Sequence, residues 1–134
     1  MKITAAIATV AVLAAPASSA LAQSQRAIAV IIRQTFPDDP DRAVCIADHE
    51  SDGTPHHFTP TARNGSNTGL FQIDRLTWDP RLNPRAIAVV GRIDWNRMLD
   101  AAYNSAVARR IYLYDRRRGH DPWSQWSTRT LCGG

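Results

Sequence analysis

Apolar residues recur at helical spacing in two long stretches of the chain. Near the start, Ile28, Ile31 and Ile32 predict a helix over 26–36, because Pro37 cannot continue it. Later in the chain, a longer amphipathic pattern predicts a helix over 99–119. The apolar face of this later helix is formed by Leu99, Ala102, Tyr103, Ala106, Val107 and Ile111.

A further helix is predicted between these two, over 40–51. Asp39 and Pro40 are typical of an N-cap followed by proline at the first helical position. Asp52-Gly53 is a turn signal that ends the pattern. Glu50 therefore lies in the last turn of this helix, next to the segment that follows.

Turn residues replace the helical pattern between positions 56 and 73. Asn64-Gly65 is a strong signal for a β-hairpin. We interpret the short apolar stretch 69–73 as a strand that carries Gln72. The flanking residues alternate poorly, so any sheet is small. We therefore predict an α+β fold that is mostly α, with a minor hairpin after the second helix.

The chain after Ile73 is expected to be helical apart from its turns. Asp79-Pro80 and Asn83-Pro84 can each start a turn or a helix. Asp121-Pro122 is expected to open a last helix, in which Trp123 and Trp126 are one turn apart.

Residues 1–22 differ in character from the rest of the chain. A lysine at position 2, an uncharged apolar run and the small-residue end Ala20-Leu21-Ala22 are typical of a signal peptide. The run is shorter than the roughly 20 residues that span a bilayer, although a buried helix or a membrane anchor remains the alternative. We expect cleavage near Ala22, a secreted or periplasmic protein without a membrane span, and one mature domain over 23–134.

The chain contains two cysteines, Cys45 and Cys132. In an oxidising compartment a disulfide between them is favoured, and two buried reduced thiols are the alternative. Closing so long a loop would stabilise the domain by about 4 to 5 kcal/mol in the chain-entropy model.

Composition and charge exclude several classes of protein. The chain is 44% hydrophobic and 21% charged, which is typical of a globular domain and not of collagen or a disordered chain. Residues 23–134 carry 15 Arg against 11 Asp and one Glu, a net charge of +3. This balance favours acidic partners such as wall polymers, anionic lipid or nucleic acid, without choosing among them. The basic run 116–118 is expected to be a solvated helix end, so nucleic-acid binding is not predicted.

Several motifs occur together in one order along the chain. They are Cys45, the pair Glu50-Ser51, the run Gly69-Leu70-Phe71-Gln72-Ile73, the pair Tyr103-Asn104, and Trp123 and Trp126 shortly before Cys132. Over about residues 44–132 they resemble the lysozyme superfamily, with features of both animal-type lysozymes and lytic transglycosylases. The resemblance implies a helical lobe, a small β-hairpin and an active-site groove between them, with peptidoglycan glycan strands as the partner.

The same resemblance implies roles for individual residues. Glu50 is expected to be the general acid, and Trp123 is expected to form the apolar wall beside it. Gln72 is expected to bind a sugar or to hold the shape of the site, while a solvent-facing side chain is the alternative. The expected substrate-binding residues are Gln72, Asn67, Ser66, Tyr103 and Trp123, although plain core packing is an equal alternative for Tyr103.

Asn67 stands where an animal-type lysozyme has its second carboxylate. An amide cannot act as a nucleophile, so retaining hydrolysis through this position is disfavoured. Our first expectation is therefore a lytic transglycosylase, in which one glutamate is acid and base and the C6 hydroxyl of the substrate attacks. The alternatives are a muramidase, in which Asp52, Asp74 or Asp79 positions a water, and a catalytically inactive glycan-binding or secretion-associated module.

No metal and no cofactor are expected. His49, His56 and His57 lie near Glu50, but their spacing does not fit a His-Glu-x-x-His zinc motif. The sequence also lacks an EF-hand loop and a Gly-rich phosphate loop. It carries no signal for a particular oligomeric state.

Overall fold

The computed structural model describes residues 17–133 of the chain. The predicted signal peptide lies outside this range as far as residue 16, and its last part, 17–22, belongs to the first helix. The helices are α1 (Ala17–Thr35), α2 (Pro40–Ser51), α3 (Arg75–Trp78), α4 (Ile87–Val90) and α5 (Ala101–Arg117). The strands are β1 (Arg63–Asn64), β2 (Asn67–Thr68) and β3 (Ile73–Asp74), and 3₁₀ turns cover Pro84–Ala86, Trp95–Arg97 and Ser127–Leu131.

The predicted α+β, mostly α fold is confirmed. Within residues 17–133, helices predominate and the three strands form one small antiparallel sheet in the order β1-β2-β3. Asn64 pairs with Asn67 in the hairpin, so its two-residue loop is Gly65-Ser66. No helix in this part of the chain combines the length and hydropathy that a bilayer crossing requires.

The second helix occupies the predicted range, but its N-cap works differently. Asp39 stands at the N-cap of α2, and its side chain makes no capping hydrogen bond. Its carboxylate instead accepts a hydrogen bond of 2.9 Å from Trp123 Nε1. The residue that was predicted to begin a helix therefore also ties that helix to the C-terminal segment.

Two predicted elements are wrong in position or kind. The helix expected after Asp121-Pro122 is absent, and the chain forms turns up to Trp126 and then the 3₁₀ turn Ser127–Leu131. Asp121 accepts from the backbone N–H of Trp123 and pairs with Arg42 of α2, which binds this segment to the body instead of starting a helix. The stretch 74–98, expected to be helical, holds only short helical segments.

The core lies where α1, α2 and α5 meet the C-terminal segment. At its centre is an aromatic cluster formed by Phe36, Phe71, Tyr112, Trp123 and Trp126. The rings of Phe36 and Trp123 are 4.9 Å apart, a separation that favours tilted aromatic packing.

Asp38, between α1 and α2, accepts hydrogen bonds from Arg109, Tyr112 and Arg116 of α5. Arg116, expected to be solvated, is thus part of an ion pair.

A buried asparagine joins the small sheet to α5. Asn104 Oδ1 accepts from the backbone N–H of Phe71 at 2.8 Å. Its Nδ2 donates to the carbonyls of Thr68 and Met98, both at 3.0 Å. All polar atoms of this side chain are therefore satisfied, and the loop between β2 and β3 is held against the helical part.

The predicted disulfide is present. Cys45 on α2 is bonded to Cys132, which follows the last 3₁₀ turn, and their Cα atoms are 5.7 Å apart. The bond links positions 87 residues apart in sequence. It therefore places the C-terminal segment beside the helix that carries Glu50.

Candidate active site

A cleft of about 150 Å³ lies between the end of α2, the sheet and the C-terminal segment. Its wall includes Glu50, Asn67, Gln72, Asp74, Trp78 and Trp126. Three of the residues predicted from the sequence, Glu50, Asn67 and Gln72, therefore meet at one place. The cleft combines two carboxyl groups, three side-chain amides and two indole rings, which suits a polar ligand with apolar ring faces.

Glu50 is half-buried in the last turn of α2. The Thr128 hydroxyl donates a hydrogen bond of 2.7 Å to its Oε1. Burial raises the pKa of Glu50 above its ordinary range, and the hydrogen bond from Thr128 and the charge of His49 offset only part of this effect. A carboxyl that keeps its proton to higher pH is suited to general acid catalysis.

Asp74, at the end of β3, has the opposite electrostatic character. Its carboxylate accepts hydrogen bonds from the hydroxyls of Ser66 and Thr77 and from the backbone N–H groups of Leu76 and Thr77. Burial by itself raises the pKa of Asp74, but these hydrogen bonds outweigh burial and hold the pKa below its usual range. The cleft thus contains one carboxyl whose pKa is raised and one whose pKa is lowered.

Gln72 lies in a turn and not, as predicted, on a strand. Its φ of 47° is in the left-handed region, and β3 begins only at the next residue. Its amide Nε2 donates to the carbonyl of Gly69 at 2.8 Å and to that of Ala62 at 3.1 Å. The side chain therefore closes the loop before β3 while it also lines the cleft.

A search of curated proteins found Lysozyme 1 of Musca domestica. The two sequences are 31% identical over 94 residues, which is 67% of this chain and 62% of that protein. This chain is related to the lysozymes. It spans less than two thirds of that relative's length. No family model and no solved structure matches the chain.

Trp123 does not line the cleft beside Glu50, although this had been predicted. Trp123 has no exposed surface and lies in the aromatic core. Trp126 is the indole on the cleft wall, where its Nε1 donates to the carbonyl of Phe71 at 2.8 Å. The assignment failed because residues 122–125 form turns and not the predicted helix, so helical spacing does not determine which of the two indoles reaches the cleft.

Tyr103 and Ser66 lie away from the cleft wall. The Tyr103 hydroxyl accepts a hydrogen bond of 2.7 Å from the backbone N–H of Asp94, and Arg97 lies over its ring at 4.3 Å. Ser66 is in the hairpin loop, and its hydroxyl donates to Asp74 at 2.5 Å. Ser66 therefore contributes to the site only through its hydrogen bond to Asp74. Tyr103 contacts the 3₁₀ turn Trp95–Arg97 and the residue before it, and not the cleft.

The other two aspartates considered for water activation are outside the cleft. Asp52 is held by Thr54, Thr59 and His57, which lower its pKa to about 2. Asp79 is buried and accepts hydrogen bonds from Arg81 and Arg75, which likewise lower its pKa to about 2. Asp74 is thus the one of the three predicted aspartates that lines the same cleft as Glu50.

A group of potential metal ligands lies at the disulfide. In the described part of the chain, Cys45, His49 and Cys132 place their ligand atoms within 4.8 Å of one another. The disulfide uses both sulfurs, and thiolates are the form that binds metal. In the oxidised protein this cluster therefore offers a single imidazole.

The sequence pattern did not single out Thr128, although it contacts Glu50 directly. The cysteine pair could have indicated the position of Thr128. Cys132 is bonded to Cys45, which lies five residues before Glu50 on α2. The residues just before Cys132 are therefore held close to the end of α2 that carries Glu50. Gln125 and Ser127 line the cleft for the same reason.

Proposed function

We propose that this protein is a muramidase-type glycosidase, which cleaves the β-1,4 bond between N-acetylmuramic acid and N-acetylglucosamine in peptidoglycan. The observation that carries the proposal is Glu50, a carboxyl with a raised pKa on the wall of a polar cleft. The similarity to Lysozyme 1 of Musca domestica supports the same reaction class.

In this proposal Glu50 donates its proton to the oxygen that bridges the two sugars. The bond from the anomeric carbon to that oxygen breaks, and the electron pair leaves with the oxygen. A water then adds its hydroxyl to the anomeric carbon and returns its proton to the Glu50 carboxylate. Atoms and charge balance, and one water is consumed for each bond that is cleaved.

A lytic transglycosylase is the second candidate. Asn67 lines the cleft where the animal-type pattern has a carboxylate, and this observation favours a reaction that needs one glutamate. In that route the C6 hydroxyl of the muramyl residue replaces water and gives a 1,6-anhydro end. Mass spectrometry of the products separates the two, since hydrolysis adds the mass of one water and transglycosylation adds nothing.

The proposal also includes export, with residues 1–22 as a cleaved signal peptide and a secreted or periplasmic mature protein. The disulfide supports it, because such bonds persist in oxidising compartments. Mass analysis of the protein purified from culture medium or periplasm would give the mature N-terminus. We expect it close to residue 23, and an intact N-terminus at Met1 would contradict this part.

The function is tested with Glu50→Gln in a peptidoglycan zymogram and a turbidity assay. We expect activity to fall by about 10² to 10⁴-fold, the usual contribution of a general acid, while binding to the insoluble wall is retained. The matched control is Asp41→Asn, a carboxyl-to-amide change at an 87% exposed side chain on the same helix, which should leave activity unchanged. Equal clearing by wild type and Glu50→Gln, or no clearing by the folded wild type, would overturn the proposal, and the second result would favour an inactive glycan-binding module.

A further inference from the structure

Asn67 and Asp74 face each other across the small sheet. They are direct partners in the antiparallel pairing of β2 with β3, and both line the cleft. Side chains of such partners lie on the same face of the sheet, with Cβ atoms about 4.5 to 5.5 Å apart. A carboxylate on Asp74 is therefore beside the position that Asn67 leaves without charge.

The Asp74 carboxylate is also held in one orientation. Its Oδ1 accepts from the Ser66 hydroxyl at 2.5 Å and from the Leu76 N–H at 3.3 Å. Its Oδ2 accepts from the Thr77 N–H at 3.2 Å and from the Thr77 hydroxyl. A carboxylate with four donors is stabilised in its charged form. Because its lone pairs are engaged, it is a weak base and a weak nucleophile, and its contribution is electrostatic.

We propose that Asp74 is the second catalytic carboxylate of this site, and that its fixed negative charge stabilises the positive charge which develops on the sugar as Glu50 protonates the bridging oxygen. This inference rests on the proposed function. It requires no covalent bond to Asp74 and no proton on it. Glu50 gives its proton to the leaving oxygen and later regains one from the attacking water or hydroxyl, so the role of Asp74 is the same for hydrolysis and for transglycosylation.

The first test is the steady-state kinetics of Asp74→Asn on soluble peptidoglycan strands. Preorganised charges of this kind contribute about 10² to 10³-fold to kcat, so we expect a loss of that size with little change in KM. Asparagine is as good an N-cap as aspartate, so α3, which Asp74 caps, should remain folded. The matched control is Asp52→Asn, which changes a carboxylate outside the cleft and should keep wild-type kcat.

The second test exchanges the charge across the strand pair. In N67D/D74N the carboxylate moves to the directly opposing residue on the same face, and we expect kcat to be at least tenfold above that of Asp74→Asn alone. A structural defect caused by losing Asp74 would not be repaired by this exchange. Recovery therefore supports a requirement for charge, and no recovery overturns it.

The two proposals fail in different ways. If Asp74→Asn keeps a kcat within threefold of wild type while Glu50→Gln is inactive, the assignment of Asp74 is wrong and the glycosidase function stands. If wild-type activity does not depend on Glu50, the proposed function itself is wrong.

Discussion

At the scale of single residues, burial raises the pKa of Glu50, and the Thr128 hydroxyl and the charge of His49 lower it in part. Burial favours the neutral acid, and the hydrogen bond from Thr128 favours the carboxylate. The protonated form is the one that can donate to a leaving oxygen. Activity should therefore decline as pH rises through the raised pKa of Glu50, and this decline forms the alkaline limb of the pH profile.

Thr128→Val removes the hydroxyl but keeps the shape of the side chain. Because the lost hydrogen bond stabilises the charged form, the pKa of Glu50 should rise further. We expect the alkaline limb of kcat/KM to move to higher pH, as measured in a pH series on soluble glycan strands. Thr130→Val is the control, since that hydroxyl is exposed and bonds only to the Ser127 carbonyl. An alkaline limb that stays in place or moves to lower pH would contradict this account of Glu50.

The residues of the site could be predicted from the sequence only where they belong to a recognisable motif. Glu50, Asn67 and Gln72 belong to a motif with fixed spacing, and all three line the cleft. Trp126 and Thr128 were not assigned, because their place depends on how the C-terminal segment folds back onto α2. That path is set by long-range contacts, which the local pattern does not contain.

At the scale of elements, the loop between β2 and β3 is locked against α5 through a glycine. Gly69 has a φ of +80°, and a Cβ built there would lie 2.2 Å from Asn104 Nδ2 and 2.3 Å from the Met98 carbonyl oxygen. Gly65, in the hairpin loop, has a φ of +58° and open space around its Cβ position. The two glycines thus share a left-handed backbone and differ in steric surroundings.

Gly69→Ala should lower the free energy of unfolding by about 2 to 5 kcal/mol, the sum of left-handed strain and overpacking. The matched Gly65→Ala should cost only the strain, about 1 to 2 kcal/mol. Urea unfolding of both variants and the wild type measures the difference. Equal losses at the two positions would show that the close approach of Gly69 to α5 does not contribute to stability.

The long helices α2 and α5 could be predicted closely, whereas the start of α1 and the short elements could not. The first helix begins at Ala17, nine residues before its predicted start at position 26. The periodic pattern and the Asp39-Pro40 start predicted α2 over its observed range, and the later amphipathic pattern predicted α5 to within two residues at each end. The strands have only two residues each, too few for an alternating pattern. The segment after Asp121 is held by Trp126 and the disulfide, so tertiary contacts override its local helix-start signal.

At the scale of the whole molecule, one covalent bond joins the two segments that hold the Glu50 carboxyl in place. Cys45 precedes Glu50 on α2, and Cys132 follows Thr128 in the C-terminal segment. The bond therefore stabilises the fold and also keeps the two partners of the hydrogen bond together.

Removing the bond in Cys45→Ala/Cys132→Ala should lower the free energy of unfolding by about 4 to 5 kcal/mol, as the chain-entropy model gives for a loop of this length. Denaturant unfolding compares the variant with the oxidised and the reduced wild type. The reduced wild type should resemble the variant, since both lack the same constraint. An unfolding midpoint that is the same in all three proteins would contradict the stabilising role of the bond.

Two of the four tryptophans, Trp78 and Trp126, stand on the wall of the cleft. Trp126 is also in contact with the core, its ring 5.3 Å from that of Trp123. If the cleft binds a glycan as proposed, binding should displace water from the accessible parts of these two indoles and change their fluorescence emission. Ligand binding in the cleft should therefore be measurable by intrinsic tryptophan fluorescence, without any attached label.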